Sequence, residues 1–151
     1  MPNDKYTTIG RRDVIDLPDF GVTNIKAKVD TGAYTSSIHS IETKVVKGTP
    51  DMLVFTIEDN AGSTKSIVTS DFSQRFIKNS FGQVEKRFVI KSRILIFNKI
   101  FETEFSLADR SGMKHPILLG RKFLKGQYLV DVTKFNLSYK QKRKEDRKKL
   151  A

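Results

Sequence analysis

Asp30, Thr31 and Gly32 close an alternating run, Ile25-Lys26-Ala27-Lys28-Val29, and their types and order are the ones best suited to chemistry. A carboxylate on a tight loop becomes a useful acid or base when its surroundings shift its pKa. The alternation sets Ile25, Ala27 and Val29 on one face of a strand and Asp30 on the other, so the strand packs while its end presents a carboxylate. Thr31 and Ser36 bring hydroxyls, Gly32 admits a close backbone, and Ala33 adds no bulk. The same tripeptide also describes an ordinary turn, opened by Asp and released by Gly. Both readings stand on three letters.

Other polar residues offer narrower choices. His39 falls on the strand leaving the loop, either as a satisfied structural histidine or as a hydrogen-bonding partner of substrate or carboxylate. Asp109, followed by Arg110, either approaches Asp30 within the chain or bonds an arginine or caps a turn. Asp131 reads as an edge or turn carboxylate. Arg121 either anchors its turn by bonding carbonyls or reaches substrate, and His115 has no assigned role. Zinc needs three or four ligands at fixed spacing, whereas this chain has no Cys, no His-Glu-x-x-His and only two histidines. A His-His-Asp site assembled by the fold is the sole metal alternative. No glycine-containing stretch has the spacing of a phosphate loop, so neither metal nor cofactor is expected.

The elements that must hold these residues read as strands. "IKAKV", "DMLVFTIED", "KSIVTSDF", "EKRFVIKSRILIF", "KIFETEFSLAD" and "YLVDVTKFNLSY" carry β-rich or alternating patterns. "DNAGST" supplies a turn, and "NK" a tight hairpin between the fourth and fifth runs. Helix is expected only in "GRKFLK" and in the C-terminal tail. Short strands at close spacing predict a mainly β barrel or sandwich, with eleven phenylalanines and no tryptophan available for its core.

At 151 residues and 38% hydrophobic, the chain makes one domain, here expected over residues 1–139. Residues 140–150, "KQKRKEDRKKL", carry seven basic and two acidic residues, nearly half of the net charge of +11. Such a tail, residues 140–151, is expected to bury nothing and to be disordered or a frayed helix. It either solubilises the chain or makes weak contact with nucleic acid, a ribosome or acidic proteins. The absence of cysteine, of any membrane-length apolar run and of a secretory h-region predicts a soluble, cytoplasmic protein.

"VDTGA" early and "PILLGRKFL" late together resemble the two signature pieces of the retropepsin-like aspartic peptidases. The likeness extends to the bacterial and archaeal branch labelled "ATP-dependent zinc protease", often linked with ATP-grasp ligases that add glutamate to ribosomal protein. "IGRRDVIDLPDFGVTNIKAKVDTGAYTSSIHS", "EKRFVIKSRI" and "FSLADRSGMKHPILLGRKFLKGQYLVDV" resemble its opening, middle and closing blocks, covering most of residues 9–132. The tail and residues 42–80 match poorly. The zinc and ATP of that label find no support in the residues.

The resemblance implies a retropepsin-like closed β-barrel of one lobe, with a short helix after Gly120-Arg121. In that family the apolar-apolar-Gly strand runs behind the Asp-Thr-Gly loop. It also implies paired carboxylates sharing one proton about one water, so that their two pKa values belong to the pair. One Asp-Thr-Gly per chain then implies a homodimer, with Thr31 tying two loops together. Retropepsins cover substrate with a hairpin flap; "EDNAGST" and "KNSFGQVEKR" each supply a tip. The second is preferred, through Ser80, Phe81 and Gly82, with Arg75, Lys78, Lys86 and Arg87 around it. If those cations line a cleft, an acidic peptide or glutamate extension is the expected substrate. The leading expectation is an aspartic-type peptidase; the alternatives are a non-catalytic module binding an acidic or ribosomal partner, or a metal-dependent hydrolase.

Overall fold

The computed structural model describes residues 5–79 and 81–150. Strand β1 (Thr7–Ile9) is followed by β2 (Arg12–Leu17), a 3-10 turn (Pro18–Phe20) and β3 (Val22–Val29). β2 and β3 pair antiparallel, with Arg12 opposite Lys28 and Ile15 opposite Ile25. The expected alternation holds in β3: Ile25, Ala27 and Val29 are buried, while Lys26 and Lys28 are exposed. Burying such an aliphatic side chain stabilises the fold by about 1.5–3 kcal/mol, which fixes the register and delivers Asp30 at the strand's end.

β4 (Ser36–Val46), β5 (Met52–Glu58) and β6 (Thr64–Thr69) form an antiparallel series. The β5–β6 turn is the one expected, with the Asp59 carboxylate accepting the Ala61 and Ser63 N–H groups at 2.9 Å. The strand expected over "KSIVTSDF" breaks instead. β6 stops at Thr69, whose hydroxyl accepts the Asp71 N–H at 3.1 Å, and Phe72 begins β7 (Phe72–Lys78). β7 pairs with β8 (Val84–Ile96), which pairs with β9 (Lys99–Ala108). Their hairpin turns on Phe97 and Asn98, both with positive φ (51° and 57°), one residue before the expected position.

β10 (Ile117–Leu119), α1 (Arg121–Leu124), β11 (Tyr128–Val130) and α2 (Leu137–Leu150) complete the chain. β10 pairs parallel with β3 and antiparallel with β4. The remaining ladder runs β3–β2–β8–β9–β4, so β10 bonds to both of its ends. β1 and β11 form a separate parallel pair. Ile25, Ile38, Phe55, Ile94, Phe105 and Ile117 are fully buried within one core cluster. Of the phenylalanines, only Phe55, Phe105 and Phe123 are buried outright, and Phe76 and Phe81 are exposed.

The last expected strand is shorter than the pattern implies, and of the two states expected for the tail the helical one is present. The strand expected over "YLVDVTKFNLSY" ends at Val130, because Asp131 caps a turn by accepting the Thr133 N–H and hydroxyl. The tail is helical, the boundary expected after Tyr139 falls inside α2, and the helix docks through polar bonds. Buried Asp13 accepts the N–H groups of Ser138 (2.9 Å) and Tyr139 (3.1 Å), capping α2, and Lys142 reaches Asp16 at 2.8 Å. No helix among the described residues is long and apolar enough to cross a membrane.

Candidate active site

Asp30 ends β3 with its backbone fixed and its side chain half-buried. Its N–H donates to the Leu119 carbonyl (3.0 Å), its Oδ1 accepts the Gly32 N–H (2.9 Å), and its carbonyl accepts the Ala33 N–H (3.3 Å). Asp30 therefore opens a turn and presents a carboxylate together. Thr31 and Gly32 are exposed.

The segment after β10 clamps this loop from behind. The Arg121 N–H donates to the Ala33 carbonyl and the Lys122 N–H to the Tyr34 carbonyl, both at 2.9 Å. The Arg121 guanidinium donates to the Thr31 carbonyl at 2.8 Å and sits 5.7 Å from the Tyr34 ring. Gly120 donates its N–H to Ser36 Oγ at 3.1 Å. Its own φ and ψ, −94° and 177°, suit any residue. Space is what demands glycine here: a Cβ would lie 2.6 Å from the Tyr34 carbonyl oxygen and 2.9 Å from the Thr35 carbonyl carbon.

His39 is buried on β4 and fully engaged. Its Nδ1 lies 2.8 Å from the Arg110 backbone N–H, which can only donate, so Nδ1 accepts. The hydrogen of the neutral ring then sits on Nε2, which donates to Glu58 Oε1 at 3.2 Å. Asp109 Oδ1 lies 3.8 Å from Nδ1, but its bond is to the Ser111 N–H at 2.9 Å. That Ser111 contact holds the Asp109 carboxyl below its ordinary pKa, and the side chain is exposed. Asp109 is thus a turn cap beside a histidine. Arg110 bonds the His115 carbonyl through Nε at 3.3 Å. Burial pushes its guanidinium pKa down, the Asp30 charge pulls it up, and Arg87 lowers it again, so the cation lies in the field of both.

Arg87 links the β7–β8 hairpin to the loop's support. Its Nη1 donates to Ser106 Oγ (3.3 Å), which donates to the Ser36 carbonyl (3.4 Å), the residue whose Oγ holds Gly120. Arg75 and Lys122 both pair with Glu104 and hold its carboxyl pKa down at about 2. The preferred flap tip is held by Asn79, whose Oδ1 accepts the Phe81 and Gln83 N–H groups at 3.0 Å. Phe81 is 90% exposed and Gly82 has φ 82°. Ser80 lies outside the described residues. The other tip is tied down, because Asn60 Oδ1 accepts the Lys26 N–H of β3 at 3.0 Å.

Sequence reasoning missed Glu58, Ser106 and Arg110 as members of this network. Only Arg110, next to Asp109 in "ADRSG", carried a signal. A cavity of about 300 Å³ bordered by Ser40, Thr43, Lys86, Arg87, Leu107 and Asp109 opens beside His39. A wider apolar depression of about 500 Å³, bordered by Thr31, Tyr34, Leu124, Tyr128 and Val130, lies on the other side of the loop. Among the described residues, no three His, Cys, Asp or Glu side chains are grouped to hold a metal ion.

The family model for RimB-like proteins, described as retropepsin-like aspartic endopeptidase RimB, matches residues 8–142. A "Probable alpha-L-glutamate ligase" of Shewanella halifaxensis is 36% identical over 135 residues, which are 87% of this chain and 29% of that protein. The protein of the same description from Desulfotalea psychrophila is 32% identical over 127 residues, 82% of this chain and 27% of the relative. The chain thus spans less than a third of the curated relatives it matches. The crystal structure of a Legionella pneumophila protein of unknown function superposes with a TM-score of 0.71 at 24% identity, covering 87% of this chain and 98% of that one; this likeness is one of fold. The chain belongs to the RimB-like, retropepsin-like aspartic endopeptidase family.

Proposed function

We propose that this member of the RimB-like family is a cytoplasmic aspartic-type peptidase whose one-lobe closed barrel works as a homodimer, with Asp30 of each copy facing one water. The observation that carries this reading is an exposed Asp30-Thr31-Gly32 loop, clamped from behind by Gly120 and Arg121 and bordered in front by apolar Tyr34, Leu124 and Val130. A loop held that rigidly has no structural need to leave Thr31 and Gly32 in solvent. A second copy seated on the apolar depression would cover them and bring the two carboxylates together.

The chemistry follows from charge. Two carboxylates in contact cannot both ionise, so one holds the proton. The ionised one takes a proton from the water, whose oxygen forms a bond to the scissile carbonyl carbon. The neutral one gives its proton to the carbonyl oxygen. As the tetrahedral carbon collapses, one of its hydroxyls gives its proton back to the carboxylate that had donated, the C=O bond re-forms and the C–N bond breaks. The amine leaves with the proton from the carboxyl that gained one, so the pair again holds a single proton. Arg110 in the field of Asp30 supports an acidic substrate such as a glutamate extension, while the neighbouring cavity sets Lys86 and Arg87 against Glu42 and Asp109 and is balanced in charge. Relatives described as glutamate ligases, each carrying a segment like this chain, support the same substrate class.

Incubating the chain with a glutamate-tailed peptide and following fragments by mass spectrometry tests this reading. Cleavage should vanish in Asp30→Asn, while sedimentation still reports a dimer. Undiminished cleavage by Asp30→Asn, or loss of cleavage to chelator with recovery on zinc, overturns it.

A further inference from the structure

Helix α2 segregates its charges. Ser138, Gln141, Lys142, Glu145, Asp146 and Lys149 border the cavity of about 180 Å³ between helix and β body. At 3.6 residues per turn, the opposite side presents Lys140, Arg143, Lys144 and Arg147, all exposed. Both acidic residues of the helix therefore turn inward, and a row of four cations turns out. The row is held in place, not trailing: Asp13 caps the first turn, and Lys142 is fixed to Asp16 and Asn24 at 2.8 Å each.

The row continues onto the body of the protein. Lys140, Arg11 and Arg12 converge on the Phe135 ring, at 4.6, 5.0 and 4.4 Å from its centroid. Arg12 faces Lys28 across the β2–β3 ladder. Burial, then the charges of Arg12, Lys28 and Lys26, depress the pKa of His115, an independent sign that this side is positive. Three cations on one ring repel one another, and Lys140 near the N-terminus of α2 opposes the helix dipole. The ring and the Asp13 carboxylate offset part of that repulsion, yet the cluster still holds more positive charge than the fold requires.

We propose that this face, Arg11, Arg12 and Lys140 about Phe135 with Arg143, Lys144 and Arg147 along α2, binds the phosphate backbone of RNA. Cations recurring three or four residues apart, about 4.5–6 Å along the helix axis, match a polymer with regularly repeated anions. Half-buried Phe135 gathers Arg11 and Arg12, whose guanidinium planes offer a flat surface for an unpaired base, a feature of RNA loops more than of duplex DNA. None of the four helix positions is apolar, so the face lacks what a lipid surface requires. The proposal is independent of the peptidase reading, since none of these residues borders Asp30.

Fluorescence anisotropy of the full chain with a fluorescein-labelled RNA hairpin, titrated between 50 and 200 mM KCl, tests it; a duplex DNA of equal length and an acidic peptide are the other arms. The expected result is that RNA binds most tightly, and that the triple variant Arg143→Gln/Lys144→Gln/Arg147→Gln loses at least about tenfold affinity. Its salt slope should flatten by roughly 2, since each phosphate contact contributes about 0.7–0.9. Circular dichroism should be unchanged, because all three side chains face solvent. Equal RNA affinity in the variant, or tighter binding of the acidic peptide or the DNA duplex than of RNA, overturns the proposal.

Discussion

Replacing Gly120 by Ala isolates the clamp behind Asp30. The added Cβ would stand 2.6 Å from the Tyr34 carbonyl oxygen, where ordinary contact begins at 3.4 Å, so the two backbones must part by about 0.8 Å. Neither partner is a flexible side-chain end that can swing away. Overpacking of this kind costs about 1–3 kcal/mol. The separation also stretches the Arg121–Ala33, Lys122–Tyr34 and Gly120–Ser36 bonds, now 2.9, 2.9 and 3.1 Å, each contributing about 1 kcal/mol. Some of that strain is relieved as the bonds yield, giving an expected loss of about 3 kcal/mol in urea unfolding. For a chain of this size the midpoint temperature then falls by roughly 6–12 °C. On the peptidase reading, displacing the Asp30 loop by that distance should also lower turnover by about 100-fold. Gly62→Ala is the control: it meets nothing within 4 Å but carries φ 82°, so it should cost about 1 kcal/mol from backbone strain and leave turnover alone. A Gly120→Ala protein within about 0.5 kcal/mol of the parent, or one no less stable than Gly62→Ala, would refute the close-approach argument.

His39→Leu removes the acceptor that holds the Arg110 N–H and the donor to Glu58, so Arg110 loses its placement beside Asp30. On the peptidase reading, kcat should fall about tenfold for one lost hydrogen bond, with KM for an acidic peptide rising as well. A change in stability with kinetics intact would make the histidine structural only. Asp13→Ala strips the buried acceptor from the Val14, Ser138 and Tyr139 N–H groups and should cost about 2–4 kcal/mol at neutral pH. Burial raises the Asp13 pKa above its ordinary value. The folded state then binds more protons than the unfolded chain, so this residue's contribution is most favourable below the unfolded pKa and declines as pH rises through the folded one. Urea unfolding of wild type and Asp13→Asn across pH 3 to 7 should show a steeper decline with pH in the wild type; parallel curves would contradict the sign.

The residues that could be read from sequence and those that could not differ in how they are bonded. β3 announces itself because every second side chain enters the core, and Gly120-Arg121 stands out because an apolar triplet precedes it. Local pattern suffices for both. Asp13 and Ser138 are 125 positions apart, and His39 and Arg110 are 71 apart. No periodicity marks such pairs, because each member is a polar residue in a segment that otherwise reads as surface. The tail illustrates the same point: its poverty in apolar residues marks it as exposed, and of its described residues only Lys142 is half-buried, but composition gives no hint of that lysine held between Asp16 and Asn24. Apolar pattern thus reports the scaffold, and the polar network that aims the carboxylate stays silent until the strands are in register. That division also bears on the peptidase reading, in which the loop alone is an incomplete site. Its supports Gly120, Ser36 and Ser106 are bonded to one another within the chain, whereas Thr31 and Gly32 face solvent and Thr31, Tyr34 and Arg121 border an apolar hollow. On the peptidase reading, the second carboxylate has to arrive from that open side.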